Sequence, residues 1–192
     1  MADRIFCLVG KSCSGKDTLY AGILERCPEL LPVIPHTTRP RRTGEVEGQH
    51  YCFVTGEQLR QYEARGQVIE KREYHTVQGL WTYFTLRFPL EQDRLLITTL
   101  EGTKALMDAY GPQAVRVVYL YTDDRTRLLR CMEREERQER PDYAELCRRF
   151  LADQSDFSDD KLAQFPNLYR IDTGPGVEDC LRQWEELYRE PE

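Results

Sequence analysis

The chain has 192 residues, enough for one compact core with small excursions and too few for two full domains. With 40% hydrophobic and 31% charged residues its composition is that of an ordinary globular protein. A formal net charge of −6 excludes a nucleic-acid polymer held by bulk positive charge. It leaves room for a nucleotide pocket, which needs only a local cluster of cations. Arginine is the main cation here, and guanidinium suits phosphate better than ammonium does.

Met1 to Arg4 lead directly into an apolar stretch with no signal-peptide pattern, and no apolar run approaches membrane-spanning length. The expected setting is the cytoplasm, with no membrane partner. The seven cysteines are scattered and form no CxxC pair, so neither a zinc site nor a redox motif is favoured. Their odd number in a chain of this length points to reduced thiols.

In chain order, Ile5–Val9 reads as a strand buried on both faces and ended by Gly10. Lys16–Arg26 reads as a helix, with Leu19, Ile23 and Leu24 at helical spacing and Pro28 just beyond it. Leu31–Ile34 is a second strand shortened by Pro32 and Pro35. Residues 36–88 differ in character, being rich in Thr, Arg, Gly and aromatics. Short strands are expected at Tyr51–Val54, Val68–Ile69 and Trp81–Phe88, with a helix over Gly56–Arg65.

The α/β rhythm then resumes. Strands are expected at Arg94–Thr99, Ala114–Tyr121 and Leu168–Ile171. Helices are expected at Thr103–Tyr110, Arg125–Arg140, Tyr143–Phe157 and Val177–Tyr188. In the helix from Tyr143, Leu146, Phe150 and Leu151 are expected on one face. Alternating strands and helices predict a mostly parallel sheet covered on both faces.

Gly10-Lys11-Ser12-Cys13-Ser14-Gly15-Lys16 satisfies GxxxxGK between a strand and a helix, the context that gives this pattern its force. The glycines let the backbone curl so that successive N–H groups face one anion, and the helix N-terminus adds partial positive charge. Gly10, Ser12, Cys13, Ser14, Gly15, Lys16, Asp17 and Thr18 are therefore candidate ligands of a nucleoside triphosphate, with Lys16 reaching the outer phosphates. The residue after the lysine is Asp17 rather than the usual Ser or Thr. Its carboxylate is a hard-oxygen donor that suits Mg²⁺, directly or through water. Alternatively it caps the helix start.

The second signal runs from Thr37 to Tyr51: Thr37-Thr38-Arg39-Pro40-Arg41-Arg42-Thr43-Gly44-Glu45-Val46-Glu47-Gly48-Gln49-His50-Tyr51. Two guanidinium groups and a phenol are suitable partners for a phosphate dianion. The segment resembles the monophosphate-binding segment of guanylate kinases, roughly TTRxxRxGExxGxxY. With the phosphate loop upstream, the resemblance extends over nearly the whole chain. It implies that Arg39, Arg42 and Tyr51 hold the acceptor phosphate. It also implies that Glu70 reads guanine by accepting from N1–H and the exocyclic amine, paired donors that adenine lacks. Tyr83 and Thr85 match a later phosphate-binding tyrosine and a base-contacting hydroxyl, given a few extra residues around Thr76–Leu80. Two departures bear on the base: Pro35 stands where the family often has a serine, and Thr98-Thr99 where it carries an aspartate near the end of the third core strand.

Arg130, Arg134, Arg137 and Arg140 recur along a charged helix, and Arg148 and Arg149 follow on the next. The Glu/Arg alternation also predicts a solvated, salt-bridged surface. By resemblance this is the lid that closes over the donor, with Arg130, Arg134 and Arg149 nearest the family positions, although the usual GRG turn is replaced by Glu133-Arg134-Glu135-Glu136. His36, His50 and His75 show no metal spacing.

The combined expectation is one α/β domain over residues 1–192. A P-loop three-layer core with a parallel sheet (1–35 and 89–192) carries a small mixed α+β monophosphate-binding insertion (36–88) and a helical lid around 130–149. The implied activity is ATP- and Mg²⁺-dependent phosphorylation of GMP or dGMP. Lys16, Arg39, Arg134 and Arg149 would stabilise the migrating phosphoryl group. A kinase for another (deoxy)nucleoside monophosphate, or a catalytically silent module of the same fold, stands as an alternative.

Overall fold

The computed structural model describes residues 3–42, 44–76, 79–165 and 167–189. Thr43 of the acceptor segment, and Val77 and Gln78 within the Thr76–Leu80 stretch, lie outside them.

The main sheet has five parallel strands in the order β2-β7-β1-β8-β9. They are β1 (Ile5–Val9), β2 (Leu31–Pro32), β7 (Arg94–Ile97), β8 (Val115–Tyr121) and β9 (Leu168–Asp172). β1 lies at the centre, and each of its five residues is fully buried. The period of two divides the strand between two cores. Phe6 and Leu8 pack with Leu19 and Ile23 of α1 (Lys16–Arg26) and with Leu181 and Trp184 of α7 (Val177–Arg189). Ile5, Cys7 and Val9 pack with Leu100 and Leu106 of α3 (Leu100–Tyr110) and with Leu162 of α6 (Asp159–Leu162). Each such side chain contributes about 1.5–3 kcal/mol through burial, so the sheet's centre is a rigid base for the loop that leaves it at Gly10.

A second, four-stranded sheet is built wholly from residues 36–86, in the order β4-β3-β6-β5. β3 (His36–Thr37) pairs with β4 (Cys52–Phe53) and with β6 (Gly79–Leu86), and β6 pairs antiparallel with β5 (Val68–Thr76). The helix α2 (Gly56–Ala64) opens with a capping box in which Thr55 and Gln58 exchange hydrogen bonds.

β5 is longer than the expected Val68–Ile69. Its charged residues 70–75 lie beyond the expected strand, yet they pair residue for residue with β6. Pairing in an antiparallel hairpin overrides weak strand propensity. On the sheet's site-facing side Glu70, Arg72 and Tyr74 stand opposite Thr85, Tyr83 and Trp81.

The charged helix α4 covers Asp124–Glu136 and stops short of the expected Arg140. α5 covers Tyr143–Asp156. Leu151 is not on the buried face of α5, being 69% exposed. The inward positions are Leu146, Arg149, Phe150 and Asp153, the i, i+3, i+4, i+7 set.

Candidate active site

The glycine-rich loop from Gly10 to Gly15 joins β1 to α1 (Lys16–Arg26), and its backbone explains its glycines. A Cβ at Gly10 would meet the carbonyl oxygen of Leu120 at 2.5 Å, and Gly15, the N-cap of α1, adopts a left-handed φ of 91°. No side chain caps this helix, and Asp17 lies in its first turn rather than at the cap. Its carboxylate favours the helix there through the macrodipole.

Lys16 folds back over the loop, its Nζ donating to the carbonyls of Gly10 (2.6 Å) and Lys11 (2.9 Å). Burial lowers its pKa from 10.5 to about 8, against the opposing pull of Asp17 and Asp153. Ser14 is buried, and its hydroxyl has no hydrogen-bond partner. An orphaned donor within a cradle of N–H groups suits a phosphate oxygen.

Cys13 has a φ of 60°, the one positive value at a non-glycine position among the described residues. Such a conformation costs about 1–3 kcal/mol and persists where its surroundings impose it. Here Cys13 is disulfide-bonded to Cys131 of α4, with Cα atoms 5.5 Å apart. The expectation of reduced thiols throughout is thus corrected for this pair. Residues separated by 118 positions meet because β1 and β8 are adjacent parallel strands, so the loops leaving their C-terminal ends are neighbours. Cys7, Cys27, Cys52, Cys147 and Cys180 are unpaired.

A network from α4 and α5 grips the loop from the other side. The Asp153 carboxylate accepts from the backbone N–H of Ser12 (2.9 Å) and pairs with Arg127 (2.7 Å). Arg127 is 1% exposed, stacks over Phe150 with its guanidinium carbon 3.9 Å from the ring centroid, and pairs also with Asp124 (3.0 Å). Neither Arg127 nor Asp153 emerges from the sequence, because no local pattern marks two charges 26 residues apart as a buried pair.

On the opposite wall Arg39 is 4% exposed and surrounded. Its Nε donates to the Tyr83 hydroxyl (2.9 Å), Nη1 to the Pro40 carbonyl (2.9 Å), and both Nη atoms to the Glu45 carboxylate. Its guanidinium lies over Tyr51, 5.2 Å from the ring centroid. The Arg39 guanidinium holds the Glu45 carboxyl down to about 2, and Glu45 in turn accepts from the backbone N–H of Arg42. Glu45 thus orders the segment that carries both arginines. The sequence signal was its place in the GExxG part of the pattern. Burial raises the Tyr51 phenol pKa, with Tyr83 acting in the same direction.

Glu70 accepts from the Thr85 hydroxyl (2.9 Å) and lies 3.3 Å from Arg72 Nε. Thr99 caps α3 by accepting from the backbone N–H of Gly102 (3.1 Å). Thr98 is left with a buried hydroxyl that has no hydrogen-bond partner.

One cavity of about 980 Å³ joins these elements. Gly10, Ser12, Lys16 and Asp17 line one end; Arg42, Tyr51, Arg72 and Tyr83 line the other; Pro35, Thr98 and Thr99 lie on its wall, with Arg149 and Asp153 from α5. Arg39, Glu70 and Thr85 stand behind the wall, and Thr18 is exposed on α1 away from it.

Of the lid arginines, Arg130 is tied to Thr173 through its carbonyl (2.7 Å) and hydroxyl (3.3 Å). Arg134 is exposed but near enough to Lys16 to lower its pKa. Arg149 lies between Glu135 (3.8 Å) and Glu145 (3.9 Å), while Arg148 pairs outward with Glu145 (2.6 Å). Arg137 and Arg140 are exposed and line no part of the cavity. Among the described residues no group of three or more His, Cys, Asp or Glu is arranged to hold a metal ion, and no helix is long and apolar enough to cross a membrane.

Residues 2–85 match the family model described as guanylate kinase. Similar curated proteins include the guanylate kinase of a Nostoc species, 38% identical over 74 residues (38% of this chain, 37% of the relative). That of Bifidobacterium longum is 30% identical over 126 residues (62% and 63%). That of Nocardia farcinica is 35% identical over 123 residues (61% and 62%). The chain thus covers less than two thirds of the length of each of these relatives. The crystal structure of guanylate kinase from Anaplasma phagocytophilum superposes with a TM-score of 0.65 over 98% of this chain and 85% of that one. At 18% identity that likeness establishes the shared fold.

Proposed function

We propose that this chain, whose residues 2–85 match the guanylate kinase family model, carries out ATP-dependent phosphoryl transfer to a nucleoside monophosphate, with GMP or dGMP as acceptor. The observation that carries the reading is the single cavity running from the phosphate loop to the Arg42–Tyr51–Tyr83 wall. Two phosphate-binding ends facing one another across a shared space are what an in-line transfer between two nucleotides requires.

The geometry supports the following division of labour. The loop N–H groups, the Ser14 hydroxyl and Lys16 receive the donor's outer phosphates. Arg42, Tyr51 and Tyr83, positioned by the Arg39–Glu45 pair, receive the acceptor phosphate. An acceptor phosphate oxygen forms the new P–O bond as the bond to the departing ADP breaks. That oxygen is already anionic at neutral pH, so no general base is needed. Arg149 and Arg134 stand where inward movement of α4 and α5 brings positive charge onto the migrating group and excludes water.

Mg²⁺ fits the donor set. A cation commonly held by one or two carboxylates plus nucleotide phosphates needs no all-protein cage, and Asp17 supplies a carboxylate on the cavity wall beside Lys16. When bound, the ion would neutralise phosphate charge. The same reading sets the chain in the cytoplasm, with small nucleotides as its partners, residues 36–88 as the acceptor module and 130–149 as the lid.

A second reading, a kinase for another (deoxy)nucleoside monophosphate, is favoured by two observations. Pro35 has no side-chain donor, and Thr99 is committed to capping α3. ADP release with Mg·ATP and GMP, dGMP, AMP, CMP and UMP tests both. Preferential turnover of a non-guanine acceptor would replace the first reading by the second, and no turnover with any of them would leave a silent module. Lys16→Ala should abolish activity.

A further inference from the structure

Among the described residues of the acceptor wall, one cation belongs to neither the phosphate loop nor the Arg39–Arg42 segment. Arg72 lies on β5, two residues beyond Glu70 and therefore on the same face of the sheet, with Tyr83 directly across the ladder. Its Nε is 3.3 Å from Glu70 Oε2, yet Nε is buried without a hydrogen-bond partner. The two charges are thus adjacent, but no good hydrogen bond satisfies the arginine donor. Arg72 lines the cavity, whereas Glu70 stands behind it with its side chain 8% exposed. A bound molecule reaching Glu70 therefore also meets Arg72.

The edge of guanine presents two donors, the exocyclic amine and N1–H, followed by one acceptor, O6. A carboxylate alone answers the two donors and leaves O6 unmatched. Pro35 on the same wall offers no side-chain donor. A guanidinium beside the carboxylate supplies the missing donor, with charge assistance.

We infer that Arg72 is a specificity-determining residue that donates to O6 of a guanine acceptor, so that Glu70 and Arg72 together complement the whole donor–donor–acceptor edge. The inference rests on the acceptor reading given above and adds to it the residue that reads O6. Adenine is rejected twice: its N1 lone pair faces the Glu70 carboxylate, and its N6 amine faces the Arg72 guanidinium. Across the ladder Tyr83 keeps Arg72 beside the phosphate-binding phenols, so the same side chain bounds the base subsite on its phosphate side.

The test compares GMP with 6-thio-GMP, which retains N1–H and the amine but replaces O6 by a weakly accepting sulfur. Values of kcat/KM for both are measured with the wild type, Arg72→Ala and Arg72→Lys, with a thermal melt of each protein. The wild type should prefer GMP. Arg72→Ala should lose about 10- to 100-fold with GMP, the usual effect of a charged hydrogen bond, and little with 6-thio-GMP, so the preference collapses. Arg72→Lys should recover part of it, and serves alone if the alanine variant does not fold. Equal losses with both acceptors would assign Arg72 to the phosphate or to the fold and overturn the inference. So would a wild type that does not distinguish the two acceptors. A wild type that phosphorylates no monophosphate at all would instead remove the kinase reading, and this inference with it.

Discussion

In the proposed reaction Lys16 must be protonated when the outer phosphates of the donor arrive, yet its burial disfavours the charge. Burial brings its pKa from 10.5 to about 8, although Asp17 and Asp153 oppose the change. At 1.36 kcal/mol per pKa unit this corresponds to about 3 kcal/mol against the ammonium form. Above pH 8 the free protein therefore presents a neutral amine to an increasing extent. Because kcat/KM reports ionisations of the free enzyme, kcat/KM for Mg·ATP should fall about tenfold per pH unit beyond pH 8. The value of kcat at saturating donor should hold to higher pH, since bound phosphates restore a high pKa. Lys16→Arg keeps its charge throughout and should lose the alkaline limb whatever its absolute rate. The assay is ADP release across this range at constant ionic strength. A wild-type kcat/KM that stays flat to about pH 10, or an arginine variant with the same limb, would refute the assignment. Stability carries the opposite sign. The folded pKa lies below the unfolded one, so the unfolded chain binds more protons between about 8 and 10.5, and Lys16's contribution makes the folded state more stable as pH rises through that window.

Three further outcomes follow from the surrounding contacts. Asp153→Asn leaves the buried Arg127 with only the half-exposed Asp124 as a carboxylate partner. It should cost about 1.5–3 kcal/mol, a fall in Tm of about 3–12 °C for a chain of this size, and replacing Arg127 and Asp153 together by apolar residues should recover most of it. Glu45→Gln removes the charge that orders Arg39 and Arg42; KM for the acceptor should rise about tenfold with KM for Mg·ATP little changed, and equal changes in both would contradict a role confined to the acceptor wall. Protein purified without reductant should show five titratable thiols when unfolded, and a reductant should lower its Tm. A closed loop of this length is worth about 5 kcal/mol at most in the chain-entropy account, and seven titratable thiols would exclude the Cys13–Cys131 bond.

What the sequence disclosed and what it withheld divide along one physical line. The loop between β1 and α1 was legible because its marks are local: glycines at Gly10 and Gly15, a lysine, a strand before and a helix after. The segment from Thr37 to Tyr51 was legible as a pattern for a similar reason, since Arg39, Arg42, Glu45 and Tyr51 lie within fifteen residues of one another. The parallel sheet followed from buried apolar runs such as Ile5–Val9, all of whose residues are fully buried. The illegible parts are pairings between distant segments. Arg127 on α4 looked like one more solvated charge, and only the approach of α5 makes it the buried partner of Asp153. Cys13 and Cys131 meet because β1 and β8 are neighbours, a fact of topology with no trace in cysteine spacing. The expected strand stopped at Ile69, and the pairing of Glu70–His75 with β6 is what sets Glu70 beside the cavity-lining Arg72. On the proposed reading, base selection lies in that less legible class. Family pattern alone pointed to Pro35 and Thr98-Thr99 as losses, whereas the hairpin register brings in a cation at a position the pattern does not mention. Loss of one recognition group need not mean loss of the specificity, if a nearby strand position can present an equivalent donor to the same atom.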